Sequence, residues 1–225
     1  SGSSNSNSSS SSSSSSNHPN APDIPSFRLS HTTEEEVLEV IKAINRTKAD
    51  DIYKIKPAMV KDLAPFLSPI LSDLFNRAID ENEYPDALKV TKVIEVHKKG
   101  RKDLPQNYRP ISLLPIFVKI FDIIVNTQLM LHLITHKIIS PTQYAFRPNS
   151  NTTLTLQSIY NFLVSQTSEQ KPTLALYIDL SKAYDTISHA KLIHKLQHDY
   201  NFDENTTNFF RSYFQNLQKS THTKH

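Results

Sequence analysis

The chain has 225 residues, of which 37% are hydrophobic, and its 25 basic residues against 22 acidic ones give a formal net charge of +3. It contains no cysteine, which excludes disulfides and thiolate metal sites and suits an intracellular protein of the nucleus or cytoplasm. Its longest apolar stretch, residues 116–134, is interrupted by polar side chains, so the sequence predicts no membrane span.

Residues 1–20 consist almost entirely of serine and asparagine. Such a segment buries too little apolar surface to offset the entropy lost on ordering. It also has neither the basic start nor the apolar centre of a signal peptide. The sequence therefore predicts a disordered tail over residues 1–30 and one folded domain over residues 31–225.

Three helices are predicted next along the chain. Thr32 and Thr33 each precede a glutamate by three residues, which is the spacing of a capping box, and apolar residues then recur with helical periodicity. A second helix is predicted over residues 57–63. A third is predicted to end near Asn82, with one apolar face made by Phe66, Leu67, Ile70, Leu71, Leu74, Phe75, Ala78 and Ile79.

The pattern then changes to that of a basic β-hairpin. Residues 90–96 are rich in β-branched side chains, a polar turn follows, and residues 108–114 return as a strand. Residues 89–109 hold seven bases and two acids, which favours binding of a polyanion. A charged hairpin that is merely solvated is the alternative.

The remaining elements are mostly helical. We expect a helix over residues 116–137 with Leu131 among its buried positions, and another capped by Asn149 or Ser150. The continuous apolar run of residues 173–178 predicts a strand covered on both faces. Two more helices are predicted over residues 188–200 and 203–214.

Asp179 directly follows this apolar run. A carboxylate there costs several kcal/mol unless it is compensated, and a hard divalent cation would compensate it. For an isolated aspartate at the end of a strand, capping of the next helix is the commoner explanation.

The surrounding residues point elsewhere. The run at residues 178–189 (IDLSKAYDTISH) resembles the reverse transcriptases of non-long-terminal-repeat, LINE-like retrotransposons, in which an aromatic residue follows the aspartate five positions later. The resemblance implies that Asp179 and the carbonyl of Leu180 hold Mg²⁺. It implies that Tyr184 lies under the sugar and excludes a 2′-hydroxyl, with ordinary core packing as the alternative.

Two upstream segments resemble the same family in the same order. Residues 107–115 (NYRPISLLP) match its fingers motif, in which Arg109 would contact the triphosphate of the nucleotide, with Lys98 and Lys99 adding phosphate contacts. Residues 140–147 (SPTQYAFR) resemble a second motif, which would place Gln143 and Arg147 along the template or nucleotide pocket.

The implied fold is an α+β, helix-rich fingers and partial palm of a right-hand polymerase, whose palm sheet is incomplete. The implied partners are an RNA template, a DNA primer and deoxynucleoside triphosphates. The family's second catalytic element, an aromatic-Ala-Asp-Asp hairpin, does not occur in residues 186–225. The chain alone is therefore expected to be inactive; a non-catalytic nucleic-acid-binding remnant and an unstable fragment without function are the alternatives.

Two minor features leave alternatives open. Gly2 and Gly100 are the only glycines, and Ala145 stands where the family usually has glycine, which fits either a drifted copy or a helix-rich segment. Histidines pair at i, i+4 spacing in two places, at 132/136 and 194/198. With no third ligand apparent, histidines at a helix surface are favoured over a zinc site.

Overall fold

The computed structural model describes residues 24–45, 51–180 and 183–221. Its elements in chain order are α1 (Glu34–Ala43), α2 (Pro57–Asp62), α3 (Ala64–Asp80), β1 (Val90–His97), β2 (Tyr108–Leu113), α4 (Ile116–Thr135), α5 (Thr152–Ser168), α6 (Ala183–Thr186), α7 (His189–His198), α8 (Glu204–Phe214) and β3 (Gln218–Thr221). Most of the predicted disordered tail, residues 1–23, lies outside the described residues.

Helix α1 begins as its sequence predicts. The Thr33 hydroxyl accepts a hydrogen bond from the Glu36 amide at 3.2 Å, and the Glu36 carboxylate accepts one from the Thr33 amide at 3.0 Å. This reciprocal capping box satisfies two amides that the first turn leaves unpaired. The helix then buries Val37 and Ile41.

The hydrophobic core lies between α1, α3, α4 and α8. At its centre the rings of Phe75 and Phe121 stack with centroids 4.3 Å apart and an interplanar angle of 3°. Tyr84 and Phe209 contact Phe121 from two further sides, at centroid distances of 5.4 and 5.7 Å. All four side chains are buried, so these rings join three helices and the turn after α3.

The face that helix α3 buries differs from the predicted apolar face. Phe66, Ile70 and Leu74 are exposed, whereas Ser68 and Ser72 are buried. Small side chains at these two positions let neighbouring structure approach the helix, so the buried strip runs through both serines to Leu71, Phe75, Ala78 and Ile79. The prediction for Leu131 was also wrong, because this α4 residue is 67% exposed.

Residues 27–32 form a strap along the helices, which moves the predicted domain boundary at residue 30. Phe27 and Leu29 are buried in the core. The Phe27 amide donates to Asn201 O at 2.9 Å and the Leu29 amide donates to the Thr206 hydroxyl at 2.9 Å. The side-chain amides of Gln128 and Asn76 each make paired bonds to the backbone of Ser30 and Thr32, respectively. The folded part therefore starts before residue 31.

Asp51 ties an early loop to the start of α4. Its Oδ1 accepts from the amides of Tyr53 and Ile55 at 2.9 and 3.0 Å, and its Oδ2 accepts from the Ile116 amide at 3.1 Å. Ile116 is the first residue of α4, so the carboxylate satisfies an unpaired amide and opposes the positive end of the helix dipole. Asp51 is itself buried, and the contact fixes the position of α4.

By length and composition α4 could cross a membrane, since it is 20 residues long with a mean hydropathy of 1.5. The prediction from interrupting polar residues therefore understated how apolar the helix is. Its inward face, however, carries Ile116, Val118, Ile120, Phe121, Ile124 and Val125 into the core. Ile123, Leu131 and Ile134, on the rest of the helix, are exposed.

The predicted hairpin is confirmed as β1 and β2, which pair antiparallel with Val96 opposite Arg109 and His97 opposite Tyr108. β3 joins the other edge of β1 in parallel, giving the order β2-β1-β3. The chain is thus helix-rich with a small sheet, in agreement with an α+β polymerase segment.

Residues 173–178 do not form the predicted buried strand. They run as extended chain without a paired strand among the described residues, and Leu174 and Leu176 are 95% and 81% exposed. Helix α5 likewise buries none of its residues, and its cap is Asn151 rather than Asn149 or Ser150. An apolar strand needs neighbours for its backbone and both faces, and the described residues supply none.

At several helix ends a residue other than glycine adopts the left-handed backbone conformation. Asn82, Lys137, Gln170 and Asn201 follow helices in the left-handed region, with φ between 53° and 55°. Asparagine tolerates this conformation better than most residues. Near Ala145 the positive φ of 60° falls on Phe146, so the alanine that replaces the family's glycine meets no backbone strain.

Candidate nucleic-acid interface

The loop between β1 and β2 is held by Asn107. Its backbone oxygen accepts from the Lys98 amide at 2.7 Å, and its side-chain Nδ2 donates to Arg101 O at 2.7 Å. Gly100 has φ +83°, and a Cβ there would meet Asn107 Nδ2 at 2.9 Å. Both the backbone conformation and the close contact therefore require glycine at position 100.

His97 and Tyr108 close the base of the same loop. Their rings meet edge to face at 5.3 Å, the Tyr108 hydroxyl donates to Lys102 O at 2.8 Å, and His97 Nε2 lies 3.0 Å from Gly100 O. The side chains of Asn107, Tyr108 and His97 thus fix the loop backbone. The cationic side chains of the loop take no part in these contacts, and the backbone that carries them is already ordered.

The cationic side chains of the loop differ in whether they already pair with an acidic group. Arg101 makes two hydrogen bonds to Asp103, at 3.1 and 2.6 Å, and this guanidinium holds the pKa of the Asp103 carboxyl below its usual range. Lys98, Lys99 and Lys102 are exposed and form no ion pair with the described residues. We define these three side chains as the lysine cluster.

Arg109 lies on β2, next to the loop. It is exposed and pairs in register with Val96, and Ile111 opposite Ile94 follows on the same face of the hairpin. Val96 and Ile111 are 41% and 43% exposed, so the arginine borders an apolar strip that is open to solvent. This arrangement offers an exposed guanidinium beside a surface on which a flat group could lie.

The side chains of Gln143 and Arg147 form hydrogen bonds within the loop on which they lie. The Arg147 guanidinium Nη1 donates to Ser140 O at 3.2 Å and to Gln143 O at 3.4 Å. Gln143 Nε2 reaches Ala145 O at 3.5 Å. In this arrangement Arg147 Nη1 and Gln143 Nε2 are engaged locally, while the other guanidinium nitrogens and Gln143 Oε1 make no hydrogen bond to the described residues.

Asp179, Leu180 and Tyr184 lie on an exposed segment. Leu180 is 72% and Tyr184 76% exposed, which makes core packing the wrong explanation for the tyrosine. Residues 181 and 182, between them, lie outside the described residues. Arg109 lies on β2, Gln143 in the loop between α4 and α5, and Tyr184 on α6, so the predicted site residues come from separate elements.

The donors at Asp179 do not fit a two-ion centre. Mg²⁺ takes six oxygen ligands, and a pair of ions needs several shared carboxylates. Within residues 24–45, 51–180 and 183–221, no three His, Cys, Asp or Glu side chains converge as a metal site. One carboxylate and the Leu180 carbonyl form at most part of a centre.

The paired histidines lie on or directly after α4 and on α7, and His132 is not at the surface but packs on the buried Phe27 with ring centroids 4.9 Å apart. Their rings contact at centroid distances of 4.7 Å for 132/136 and 4.2 Å for 194/198. Burial, and then the neighbouring His136, lower the pKa of His132. Neither pair belongs to a convergent set of metal ligands in the described part of the chain.

Comparison with known proteins finds one matching family and several relatives. The model of the family described as reverse transcriptase (RNA-dependent DNA polymerase) matches residues 96–224, more than half of the chain. The chain is 28% identical over 171 residues to an RNA-directed DNA polymerase from mobile element jockey of Drosophila melanogaster. It is 25% identical over 164 residues to a probable RNA-directed DNA polymerase from transposon BS of the same species.

A third relative, a probable RNA-directed DNA polymerase from transposon X-element of the same fly, is 26% identical over 163 residues. The alignments cover 72–76% of this chain but only 18–19% of each of these relatives. The chain therefore spans just under a fifth of the length of the curated relatives that it matches.

Proposed function

Because the chain belongs to the reverse transcriptase (RNA-dependent DNA polymerase) family, we propose that its β1–β2 hairpin holds nucleic acid for RNA-directed DNA synthesis by a non-long-terminal-repeat retrotransposon. The observation that carries the proposal is the lysine cluster, three unpaired cations on a loop whose backbone is fixed by Asn107 and Tyr108. The RNA template, the DNA primer and their phosphates are the proposed partners.

The physical basis is electrostatic. Lysines that neutralise phosphates release condensed counterions, so affinity falls steeply with salt and depends little on sequence. Rigid support matters as well, because a loop that is already ordered loses little entropy when it binds. The hairpin meets both conditions, whereas the two histidine pairs lie on helices and carry no permanent charge.

Arg109 is proposed to bind the triphosphate of the incoming deoxynucleotide. Its guanidinium can donate two parallel hydrogen bonds to phosphate oxygens, and its β2 backbone is fixed by pairing with Val96. Gln143 and Arg147 are proposed to contact the template. Tyr184, fully accessible on α6, is proposed to discriminate the sugar of the nucleotide.

Removal of the lysine cluster tests the hairpin. For the triple variant Lys98→Ala, Lys99→Ala, Lys102→Ala we expect the affinity for an RNA–DNA hybrid to fall about 10- to 100-fold near 100 mM salt, with the slope of log affinity against log salt shallower by roughly 2–3. Fluorescence anisotropy at several salt concentrations measures both quantities.

The matched control removes three exposed lysines elsewhere, Lys42 on α1, Lys119 on α4 and Lys191 on α7. It lowers the net charge by the same amount. An equal loss of affinity in the two triple variants would show that total charge, and not the hairpin, determines binding, and would overturn the proposal.

A second test concerns catalysis. Asp179 and the Leu180 carbonyl are proposed to contribute to a Mg²⁺ site that needs further carboxylates, so the 225-residue chain is expected to extend a primer on an RNA template no faster than its Asp179→Ala variant. Primer extension with Mg²⁺ and deoxynucleotides measures this. Incorporation that depends on Asp179 would contradict it; hybrid binding without incorporation supports the non-catalytic nucleic-acid-binding alternative for the isolated chain.

A further inference from the structure

A small recess opens between α4, α8 and Tyr84, away from the hairpin. It has a volume of about 220 Å³ and is lined mainly by aromatic rings, with Asp122 as its one acidic group: Tyr84, Asp122, Val125, Asn126, Leu129, Phe209, Phe210 and Tyr213. This volume suits one chemical group better than a drug-sized ligand, which occupies about 300 Å³ or more.

The rings of the recess stand nearly at right angles to one another. Tyr84 and Tyr213 meet at 84° with centroids 4.8 Å apart, and Phe209 and Phe210 meet at 90° with centroids 5.7 Å apart. Tyr84 and Phe209 are fully buried, so the walls cannot rearrange freely. A group entering the recess would contact chiefly the rings of Phe210 and Tyr213, which are only partly buried and pack against the buried rings of Phe209 and Tyr84, respectively.

The Asp122 carboxylate has no cationic partner among the described residues. Its Oδ1 accepts one hydrogen bond, from the Tyr84 hydroxyl at 3.2 Å. The buried Lys89 donates its Nζ to Asp86 at 2.7 Å and to the Ser212 hydroxyl at 3.4 Å instead. The carboxylate therefore keeps an uncompensated negative charge beside the recess.

The pKa of the Asp122 carboxyl agrees with this arrangement. Burial raises the pKa of Asp122 to about 6, and the hydrogen bond from Tyr84 opposes that rise. Nearby, burial and then the charge of Asp122 raise the pKa of Tyr213 to about 12. At pH 7.5 the carboxyl is thus mostly ionised while both tyrosines are neutral, and the negative charge persists at a site where solvation is poor.

We propose that this recess binds an organic ammonium group, of the methylated kind found in trimethyl-lysine or choline. Such a cation is attracted to the faces of aromatic rings and loses little hydration when it is enclosed by them. Asp122 would supply the opposite charge. A hydrated metal ion fits less well, since the recess offers it one carboxylate and the Asn126 amide oxygen but no further convergent acid.

The first experiment compares choline with its neutral isostere 3,3-dimethylbutan-1-ol at pH 7.5. Tyrosine ring resonances of the full chain are followed by NMR during each titration. We expect saturable shifts with choline and at least tenfold weaker binding of the isostere, because only the charge differs between the two. Equal binding of both, or no saturable shift with choline, overturns the proposal.

Variants locate the site. Asp122→Asn keeps an oxygen that can accept from Tyr84 and removes the charge, so it should fold and bind choline at least tenfold more weakly. Tyr213→Phe retains the ring and should bind nearly normally, whereas Tyr213→Leu should not bind. Asp73→Asn, at an exposed α3 carboxylate, is the control and should bind like the unmodified chain. Unchanged binding in Asp122→Asn would refute the assignment.

The source of the ammonium group is decided by a third comparison. A short peptide carrying trimethyl-lysine is titrated alongside choline and the unmethylated peptide. Binding of the methylated peptide more than tenfold tighter than choline assigns the recess to a polypeptide ligand, and equal affinities assign it to a small molecule. Preference for the unmethylated peptide would contradict a site for methylated ammonium groups.

Discussion

Phe121→Ala is expected to lower the free energy of unfolding by about 3–5 kcal/mol. Phe121 is completely buried, stacks on Phe75 at 4.3 Å, and also contacts Tyr84 and Phe209. Truncation leaves a cavity where α3, α4 and α8 meet, and the neighbouring rings are too constrained by one another to fill it. Urea unfolding followed by far-UV circular dichroism measures the loss.

The control lies two residues further along α4. Ile123 is 42% exposed, and Ile123→Ala should cost much less, about 1 kcal/mol, because a large part of its surface stays in contact with water in the folded chain. Phe121→Leu should fall between the two alanine variants. Similar losses for Phe121→Ala and Ile123→Ala would mean that the aromatic cluster is not the centre of the core.

Asp51→Ala is expected to cost about 2–4 kcal/mol, since it removes the acceptor for three backbone amides at once. Two of these amides, from Tyr53 and Ile55, shape the loop, and the third, from Ile116, starts α4. A methyl group restores none of the bonds, and the buried position limits access of water. The same unfolding measurement applies.

Two variants make this prediction specific. Asp51→Asn should lose less than Asp51→Ala, because one side-chain oxygen can still accept while the amide nitrogen cannot. Asp73→Ala changes an exposed carboxylate on α3 and should shift stability by less than about 0.5 kcal/mol. If Asp51→Ala behaved like Asp73→Ala, the carboxylate would not be what anchors the start of α4.

Features encoded within a few residues were predictable from the sequence. The capping box of Thr33 and Glu36 is confirmed, as is the hairpin with its glycine turn. The capping box joins residues three positions apart, the paired residues of the hairpin lie between 11 and 21 positions apart, and side-chain types at those positions decide the geometry. Ser188 and Asp203 cap α7 and α8 for the same reason.

Features that depend on distant contacts were not predictable. The face that α3 buries is decided by its neighbours, so Phe66 was predicted to lie on the apolar face but is 73% exposed. The apolar pattern of residues 173–178 marks a strand only if partners cover it, and none does in the described structure. The role of Asp51 depends on Ile116, a residue 65 positions away.

The residues of the candidate site were predicted from sequence motifs, whereas their arrangement in the structure was predicted only in part. The lysine cluster and Arg109 lie together on one hairpin, as residues 98–109 indicated. Sequence reasoning missed that Asn107 and Tyr108 hold the loop, although both belong to the fingers motif. It also missed the Asp122 recess, because Tyr84, Asp122 and Tyr213 have no recognisable spacing along the chain.

The strap of residues 27–32 has a consequence for the order of events during synthesis. The amide of Leu29 pairs with a hydroxyl 177 residues later in the chain. At about 5–20 residues per second a ribosome needs roughly 10–35 s to reach that partner. Phe27 and Leu29 are therefore exposed while the intervening helices emerge, and the core closes only once α8 has left the exit tunnel. Phe27 and Leu29 are thus buried long after they are made, so nascent chains of this protein are a natural target for chaperones that hold unfolded segments.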